Sequence, residues 1–197
     1  MALGKQAKIL SDKQVRAVLV ELECRRYPIR DRVMFLLSTK AGLRAIEIAS
    51  ITWAMVTDAE GEIADVIALE NKASKGEGGG RHIPIHPDLK AALIALHRDR
   101  GAKARPDMPV IHSERDRGLS RGAVAVWFHR LYSGLGMVGC SSHSGRRSFI
   151  IRAAQKISEV GGSLRDIQVL AGHASLSTTA RYIEADHEAQ RKVVALI

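Results

Sequence analysis

Six side chains in this sequence have the types and the order needed to move a phosphoryl group. They sit in five short pieces: A-G-L-R-A-I-E at residues 41–47, Lys72 after an apolar run, H-S-G-R-R at 143–147, L-A-G-H at 170–173 and T-T-A-R-Y at 178–182. Arg44 and Arg146 are a pair of guanidiniums able to grip one phosphate through bidentate, charge-assisted hydrogen bonds. Arg44 falls at a helix start, where backbone N–H groups also favour an anion. His143 and Arg146, three residues apart at another helix start, share one face. His173 follows a helix end, where the chain turns. The phenolate of Tyr182 is a nucleophile that attacks phosphorus and leaves a covalent ester. Two arginines, two histidines, a lysine and a tyrosine make a metal-free phosphoryl-transfer set, with cations supplying the charge stabilisation that Mg²⁺ gives elsewhere.

Taken singly, each piece has a plainer explanation. Arg44 near Glu47 reads as a surface ion pair, Lys72 as a solvated strand end, His143 as a cap and Tyr182 as a packed helix residue. Only the ordered set carries the signal. Competing motifs fail. K-G-E-G-G-G-R at 75–81 lacks the Lys-Ser/Thr and the helix of a phosphate-binding P-loop. His82 and His86 would lie roughly 13 Å apart on a strand, too far for one metal, and Pro84 and Pro87 exclude a helix there. No G-x-S-x-G elbow occurs. Trp53, Trp127 and Phe128 belong in the core, because only eight aromatics exist to fill it.

The ordered set resembles the catalytic domain of the tyrosine recombinase (phage integrase) family over residues 11–184. The most specific piece is G-H-x-S-x-x-T-T-x-x-Y at 172–182. The resemblance implies that Arg44, Arg146 and His173 hold the non-bridging oxygens of a scissile DNA phosphate. Tyr182 attacks in line, giving a 3′-phosphotyrosine and a free 5′-hydroxyl; Lys72 protonates the leaving 5′-oxygen and His143 is a general acid/base. Glu47 matches an acid that braces the first arginine. No cofactor, metal or ATP is implied. The implied partner is double-stranded DNA, bound by a homo-tetramer, with accessory DNA-bending proteins as optional partners; Lys75, Arg81, Arg147 and Arg181 are expected DNA contacts. Two other activities share these features: a non-catalytic DNA-binding regulator, and a relaxing enzyme of the type IB topoisomerase kind. Three departures from the family pattern stand out. Gly145 replaces the usual Leu before the second arginine, which predicts a weak helix start and a loosened Arg146. The lysine slot is shared between Lys72 and Lys75. Many members carry an N-terminal clamp domain, whereas only about ten residues precede the first helix here, so the chain is expected to be either a minimal recombinase like the fimbrial phase-variation invertases or a fragment.

The elements that must position these groups are mostly helical. Ser11 and Gln14 form a capping box before Val15, Val18, Leu19 and Leu22. Pro28 opens a second helix that Gly42 ends, and residues 44–51 form a short third. Residues 55–56, 63–69 and 81–85 read as strands, joined by a turn at 58–61 and a glycine-rich, mobile loop at 71–80. Helices follow at 88–100, from Ser120 to Leu131, at 144–160, from the Ser163–Asp166 box to Gly172, at 177–184 and at 186–197. The expected fold is α+β: a mostly helical catalytic domain with a small antiparallel sheet. A basic tail occupies 1–10, the catalytic domain 11–185, and a C-terminal helix 186–197; its apolar end, Val, Val, Leu and Ile, calls for a docking surface, either on its own domain or, as the family resemblance implies, on a neighbouring subunit.

Charge agrees with a polyanionic partner. The 197 residues carry 30 Lys and Arg against 21 Asp and Glu, a net charge of +9. Residues 55–71 hold five acids and no base, whereas 72–105 hold eight bases and three acids, so the first hairpin should face away from the polyanion and the next loop toward it. A hydrophobic share of 46% supports a real core, and no apolar run approaches a membrane span. Two distant cysteines exclude a disulfide framework. The expected setting is the cytoplasm, associated with the nucleoid, in a bacterial, phage or mobile-element protein.

Overall fold

The computed structural model describes residues 6–73 and 80–182. The expected C-terminal helix, Lys75 and most of the glycine-rich loop lie outside the described residues. Helix α1 (Asp12–Glu23) starts at the expected box, with Gln14 N–H donating to Ser11 Oγ (3.3 Å) and Ser11 N–H to Gln14 Oε1 (2.9 Å). It buries Val15, Val18 and Leu22. Helix α2 (Pro28–Lys40) has Pro28 in its first turn, where the missing N–H costs nothing. Every residue from Val33 to Thr39 is buried, so α2 is hydrophobic all round and becomes the central rod of the molecule. Helix α3 (Ala45–Ser50) follows the turn at Gly42.

The sheet is smaller than the periodicity predicts. Strand β1 (Val66–Leu69) pairs antiparallel with β2 (Arg81–Pro84), Leu69 opposite Arg81 and Val66 opposite Pro84. Residues 55–56 are not a strand: Trp53–Met55 is a 3-10 turn whose Trp53 and Met55 side chains are buried, and only a single bridge joins Thr57 to Ile63. A short apolar pair is compatible with either state, and here core burial of Trp53 decides. Lys72 lies in a second 3-10 turn, Asn71–Ala73.

Helix α4 (Pro87–Arg100) and α1 both pack on α2, and α5 (Arg121–Gly134), capped by Ser120, packs on α3. The expected helix at 144–160 is α6 (Ser144–Lys156) followed by a 3-10 turn, Ile157–Val160. Helix α7 (Leu164–Ala171) begins at the Ser163–Asp166 box, and α8 (Leu176–Ala180) is one residue earlier and shorter than expected, which leaves Tyr182 in the turn beyond it. The main core runs through α1 to α5. A second, small cluster of Ile150, Ile167 and Ala171 joins α6 to α7, and Tyr182 packs against it. No helix among the described residues is long and apolar enough to cross a membrane.

Gly145 corrects the expectation of a loose helix start. Its α6 lies against α2 so closely that a Cβ would stand 3.0 Å from Ser38 Cβ and 3.0 Å from Thr39 Cγ2, and closer still to Ser38 Oγ. The missing side chain is what lets α6 reach the central rod, and Arg146 next to it is buried and held by two short hydrogen bonds. Gly145→Ala gains about 1 kcal/mol of helix propensity but must push α6 off α2, an overpacking cost of about 1–3 kcal/mol. The variant is therefore expected to be less stable in urea unfolding; equal or greater stability would show that the close approach is relaxed at no cost.

Candidate active site

The end of α7 is the meeting point. Gly172 takes a left-handed conformation (φ 61°, ψ 48°) and His173 N–H turns back to Gln168 O, so the carbonyls of Leu170, Ala171 and Gly172 have no partner within the helix. Three arginines take them in order. Arg81 Nε donates to Leu170 O (2.9 Å), Arg146 Nη2 to Ala171 O (2.6 Å) and Arg44 Nη2 to Gly172 O (3.1 Å). The negative end of the helix dipole favours all three cations. A side chain at Gly172 would strain this φ and place a Cβ 2.8 Å from Arg81 Nη1. Arg146 is clamped further by Nη1 donating to Gly42 O (2.6 Å).

Glu47 ties two of these arginines together. Its Oε1 accepts from Arg44 Nη1 (2.9 Å) and Arg81 Nη1 (2.8 Å); its Oε2 accepts from Arg81 Nη2 (3.2 Å) and from the Arg44 backbone N–H (2.7 Å), which also caps α3. The carboxylate is fully buried. Burial alone would push it up, but the hydrogen bond and charge of Arg81, then Arg44, hold it below the usual carboxylate range. Arg81 is thus an interior brace with a side chain 4% exposed, not the DNA contact expected from its charge. The signal was in the strand period: Arg81 and Ile83 are two apart and alternate with exposed His82 and Pro84.

Arg44, His143, Arg146, His173 and Tyr182 line one open groove of about 540 Å³. Arg147 and exposed Arg181 also border it, together with Thr178 of the T-T-A-R-Y piece and with Gln6, Ala7 and Ser141, which sequence reasoning did not single out. Lys72 is the exception among the six. Its side chain is 75% exposed and pairs with Glu70 (2.7 Å), outside the lining of the groove.

The electrostatics favour an anion in the groove. Three guanidiniums converge near one carboxylate that is bonded to only two of them, and burial, then the charge of Arg44, lower Arg146 to about 9. His173 is buried, and desolvation, followed by the charges of Arg146, Arg44 and Arg81, lowers it to about 4. His143, at the groove mouth, is lowered by desolvation and then by Arg146, Arg121 and Arg44. Both imidazoles are therefore neutral near pH 7, and the fixed positive charge resides on the arginines. His173 Nδ1 lies 2.9 Å from Oγ1 of buried Thr179, leaving Nε2 for the groove, and its ring stacks on that of Tyr182 with centroids 5.7 Å apart and planes 16° from parallel. The two threonines of T-T-A-R-Y were legible as a motif, but not the role of the second in orienting the histidine. No cluster of three or more His, Cys, Asp or Glu side chains suited to a metal occurs among the described residues.

The helical domain with its two-stranded sheet presents anchored guanidiniums beside a phenol, an arrangement chemically able to hold an anionic ester next to a tyrosine. Residues 8–189 match the phage integrase family, and the chain belongs to that family. It is 30% identical over 185 residues to the tyrosine recombinase XerC of Xanthomonas campestris pv. campestris, covering 93% of this chain and 52% of that protein. It is 28% identical over 186 residues to the tyrosine recombinase XerA of Thermococcus onnurineus, covering 94% and 61%. The chain thus spans about half of the length of the XerC relative. Among solved structures, the Tn1549 transposon integrase in complex with a circular intermediate DNA superposes with a TM-score of 0.75 at 17% identity, covering 99% of this chain and 67% of that one. The XerA recombinase crystal structure gives a TM-score of 0.71 at 18% identity, covering 100% and 65%. These likenesses establish the fold.

The histidine environment has a measurable consequence. The folded value of His173, about 4, lies below the ~6.5 of an unfolded chain, so on acidification the unfolded chain takes the proton first. The stability tied to the neutral ring is whole above about pH 6.5 and declines as pH falls toward 4. NMR titration of the imidazole is expected to show this low midpoint, and urea unfolding of His173→Gln should lose part of the decline; a midpoint above about 6 would contradict the buried, arginine-flanked placement.

Proposed function

We propose that this chain is the catalytic domain of a site-specific DNA recombinase that cuts and rejoins DNA through a 3′-phosphotyrosine intermediate. The observation that carries the reading is the convergence of Arg44, Arg146 and His173 on one groove with Tyr182 stacked against His173. Arg44 and Arg146 are fixed by backbone carbonyls before any substrate arrives, so little reorganisation is needed when they bind the non-bridging oxygens of a phosphodiester. Neutral His173 adds a hydrogen bond through Nε2. Tyr182 Oη attacks phosphorus, the phosphorus–5′-oxygen bond breaks, and the phenolic proton passes to a general base, the role proposed for His143, which lines the same groove. A lysine protonates the departing 5′-oxygen. The ester energy is kept in the phosphotyrosine, so a 5′-hydroxyl from another duplex reverses the step without ATP or a metal. The net charge of +9 and the exposed Arg181 suit a duplex DNA partner. The names of the relatives, and the DNA complex of the transposon integrase, support the same activity; a homo-oligomer on DNA in the cytoplasm is the proposed setting.

Tyr182→Phe keeps the ring and its stacking but removes the nucleophile. The variant is expected to bind DNA like the parent and to form no covalent adduct when incubated with DNA carrying candidate sites. An adduct in Tyr182→Phe would move the nucleophile to Tyr132 or Tyr27, and binding with no adduct in the parent would instead make the chain a DNA-binding regulator. Gel-shift affinities should fall with salt at a log–log slope near −0.9 per phosphate neutralised.

The proton donor is assigned to Lys72 over Lys75, because Lys72 follows β1 by three residues and its position is tied to the sheet. Reaching the leaving oxygen requires the turn at Asn71–Ala73 to swing Lys72 away from Glu70 toward the groove. A substrate with sulfur in place of the leaving 5′-oxygen needs no proton. It should restore cleavage to Lys72→Ala; restoration of Lys75→Ala alone reverses the assignment.

A further inference from the structure

The stretch read from sequence as a basic tail is, from Gln6 onward, a strap fastened along α6. Lys8 N–H donates to Gly139 O (3.0 Å) and Leu10 N–H to Ser148 Oγ (2.7 Å). Arg152 donates to Leu10 O (2.9 Å) and pairs with Asp12 (2.7 Å), and the Leu10 side chain is buried in the main core. The strap then passes the groove, where Gln6 and Ala7 form part of the wall.

Arg147 joins this strap to Tyr182. Its Nη1 donates to Ala7 O (3.3 Å), and its guanidinium carbon lies 6.0 Å from the centroid of the Tyr182 ring. Its Nε is buried without a hydrogen-bond partner. The side chain is thus neither free on the surface nor fully satisfied in the interior; it is held between a backbone carbonyl and an aromatic face. Tyr182 needs such a support. It lies in the turn past α8, a helix of only five residues, and otherwise rests on the His173 ring and a cluster of three buried apolar residues. In-line attack demands that its Oη be held to within a fraction of an ångström.

We propose that Arg147 is a positioning residue for Tyr182, set in place by the Ala7 carbonyl, so that the segment entering the domain is coupled to the nucleophile. The proposal rests on Tyr182 being the nucleophile. It also accounts for Arg147 differently from a phosphate contact: the guanidinium acts through the ring, and its planar shape matters as well as its charge.

Four measurements test it on the full chain. In single-turnover cleavage at saturating DNA, Arg147→Ala should lower the first-order rate roughly three- to thirtyfold, the span of a cation–π contact, with DNA affinity and its salt slope unchanged. Arg147→Lys, which keeps the charge and is the safer fold, should recover little of that rate. Arg152→Ala loosens the strap without touching the groove; it should slow cleavage in the same direction and add nothing in the Arg147→Ala background, because the two changes act through one path. Without DNA, NMR of ring-labelled tyrosine should show the Tyr182 resonances shifted or broadened in both arginine variants, a readout independent of activity. The proposal is overturned if Arg147→Ala leaves the saturated rate and the Tyr182 resonances unchanged while weakening DNA binding and reducing the salt slope by about 0.9, the mark of a plain phosphate contact. If the parent forms no Tyr182 adduct although the ring resonances respond as expected, the recombinase reading fails and the mechanical link between Arg147 and the ring stands.

Discussion

Three guanidiniums docked on three consecutive carbonyls at the end of one helix hold the site together, and much of the fold answers to them. Arg44 comes from the start of α3, Arg81 from β2 and Arg146 from α6, and all reach the last turn of α7. Buried cations at this density are tolerated only where every donor has an acceptor. The helix end supplies carbonyls with no other partner, and Glu47 supplies the one full negative charge. Removing that carboxylate would leave three cations facing one another in the interior, the situation in which breaking a buried pair costs most. The glycines follow from the same constraint. Gly172 has no Cβ because Arg81 occupies that space, and Gly145 has none because α6 must sit on α2 for Arg146 to reach the cluster.

The arrangement leaves the groove short of negative charge. Burial first, and then the charge of the arginines around them, lowers both histidines, so near pH 7 the site holds cationic arginines and neutral imidazoles. A bound phosphodiester would supply the missing anion. The attraction is then strongest where the protein has already met the cost of bringing like charges together, which is the condition for preorganised electrostatic stabilisation. Thr179 serves the same end on a smaller scale: by engaging Nδ1 of His173 it fixes the ring and leaves the other nitrogen for the groove.

Most helices were legible because their signals are local. Ser11, Ser120 and Ser163 cap the helices they were expected to cap, and Pro28 and Pro87 open theirs. The residues brought together at the groove were legible because five pieces in a fixed order are far less ambiguous than any one of them. What escaped sequence reasoning depends on tertiary neighbours. Arg81 looked like a surface base, since its partner Glu47 lies 34 positions away and only the strand period hinted that it points inward. Gly145 looked like a weak helix start because the pressure of Ser38 and Thr39 is invisible until α2 and α6 meet. Residues 55–56 looked like a strand because two apolar residues carry no period. Residues 6–10 looked like a loose tail because the strap is held mainly through backbone groups, to which composition is blind.

The site also divides by rigidity, and the division matches the proposed chemistry. Of the groups that would hold the phosphate, Arg146 and His173 are buried and Arg44 is partly buried, and each is hydrogen-bonded to its surroundings. The groups that would react with it are at element ends: Tyr182 in the turn after α8, Lys72 in the turn after β1, His143 at the cap of α6. Contacts there are fewer, and local opening costs least where buried apolar contacts are few. A protein that must cut one strand and then wait before joining it to another gains from such a layout. In the proposed reaction the phosphate would remain gripped throughout, while nucleophile and proton donor would move in and out of register through small shifts of the turns that bear them. Arg147 and the strap stand on the boundary between these two parts, anchored to α6, with the Arg147 guanidinium over the peripheral ring of Tyr182. That is the place where a change in what precedes the domain would reach the nucleophile without disturbing the arginines.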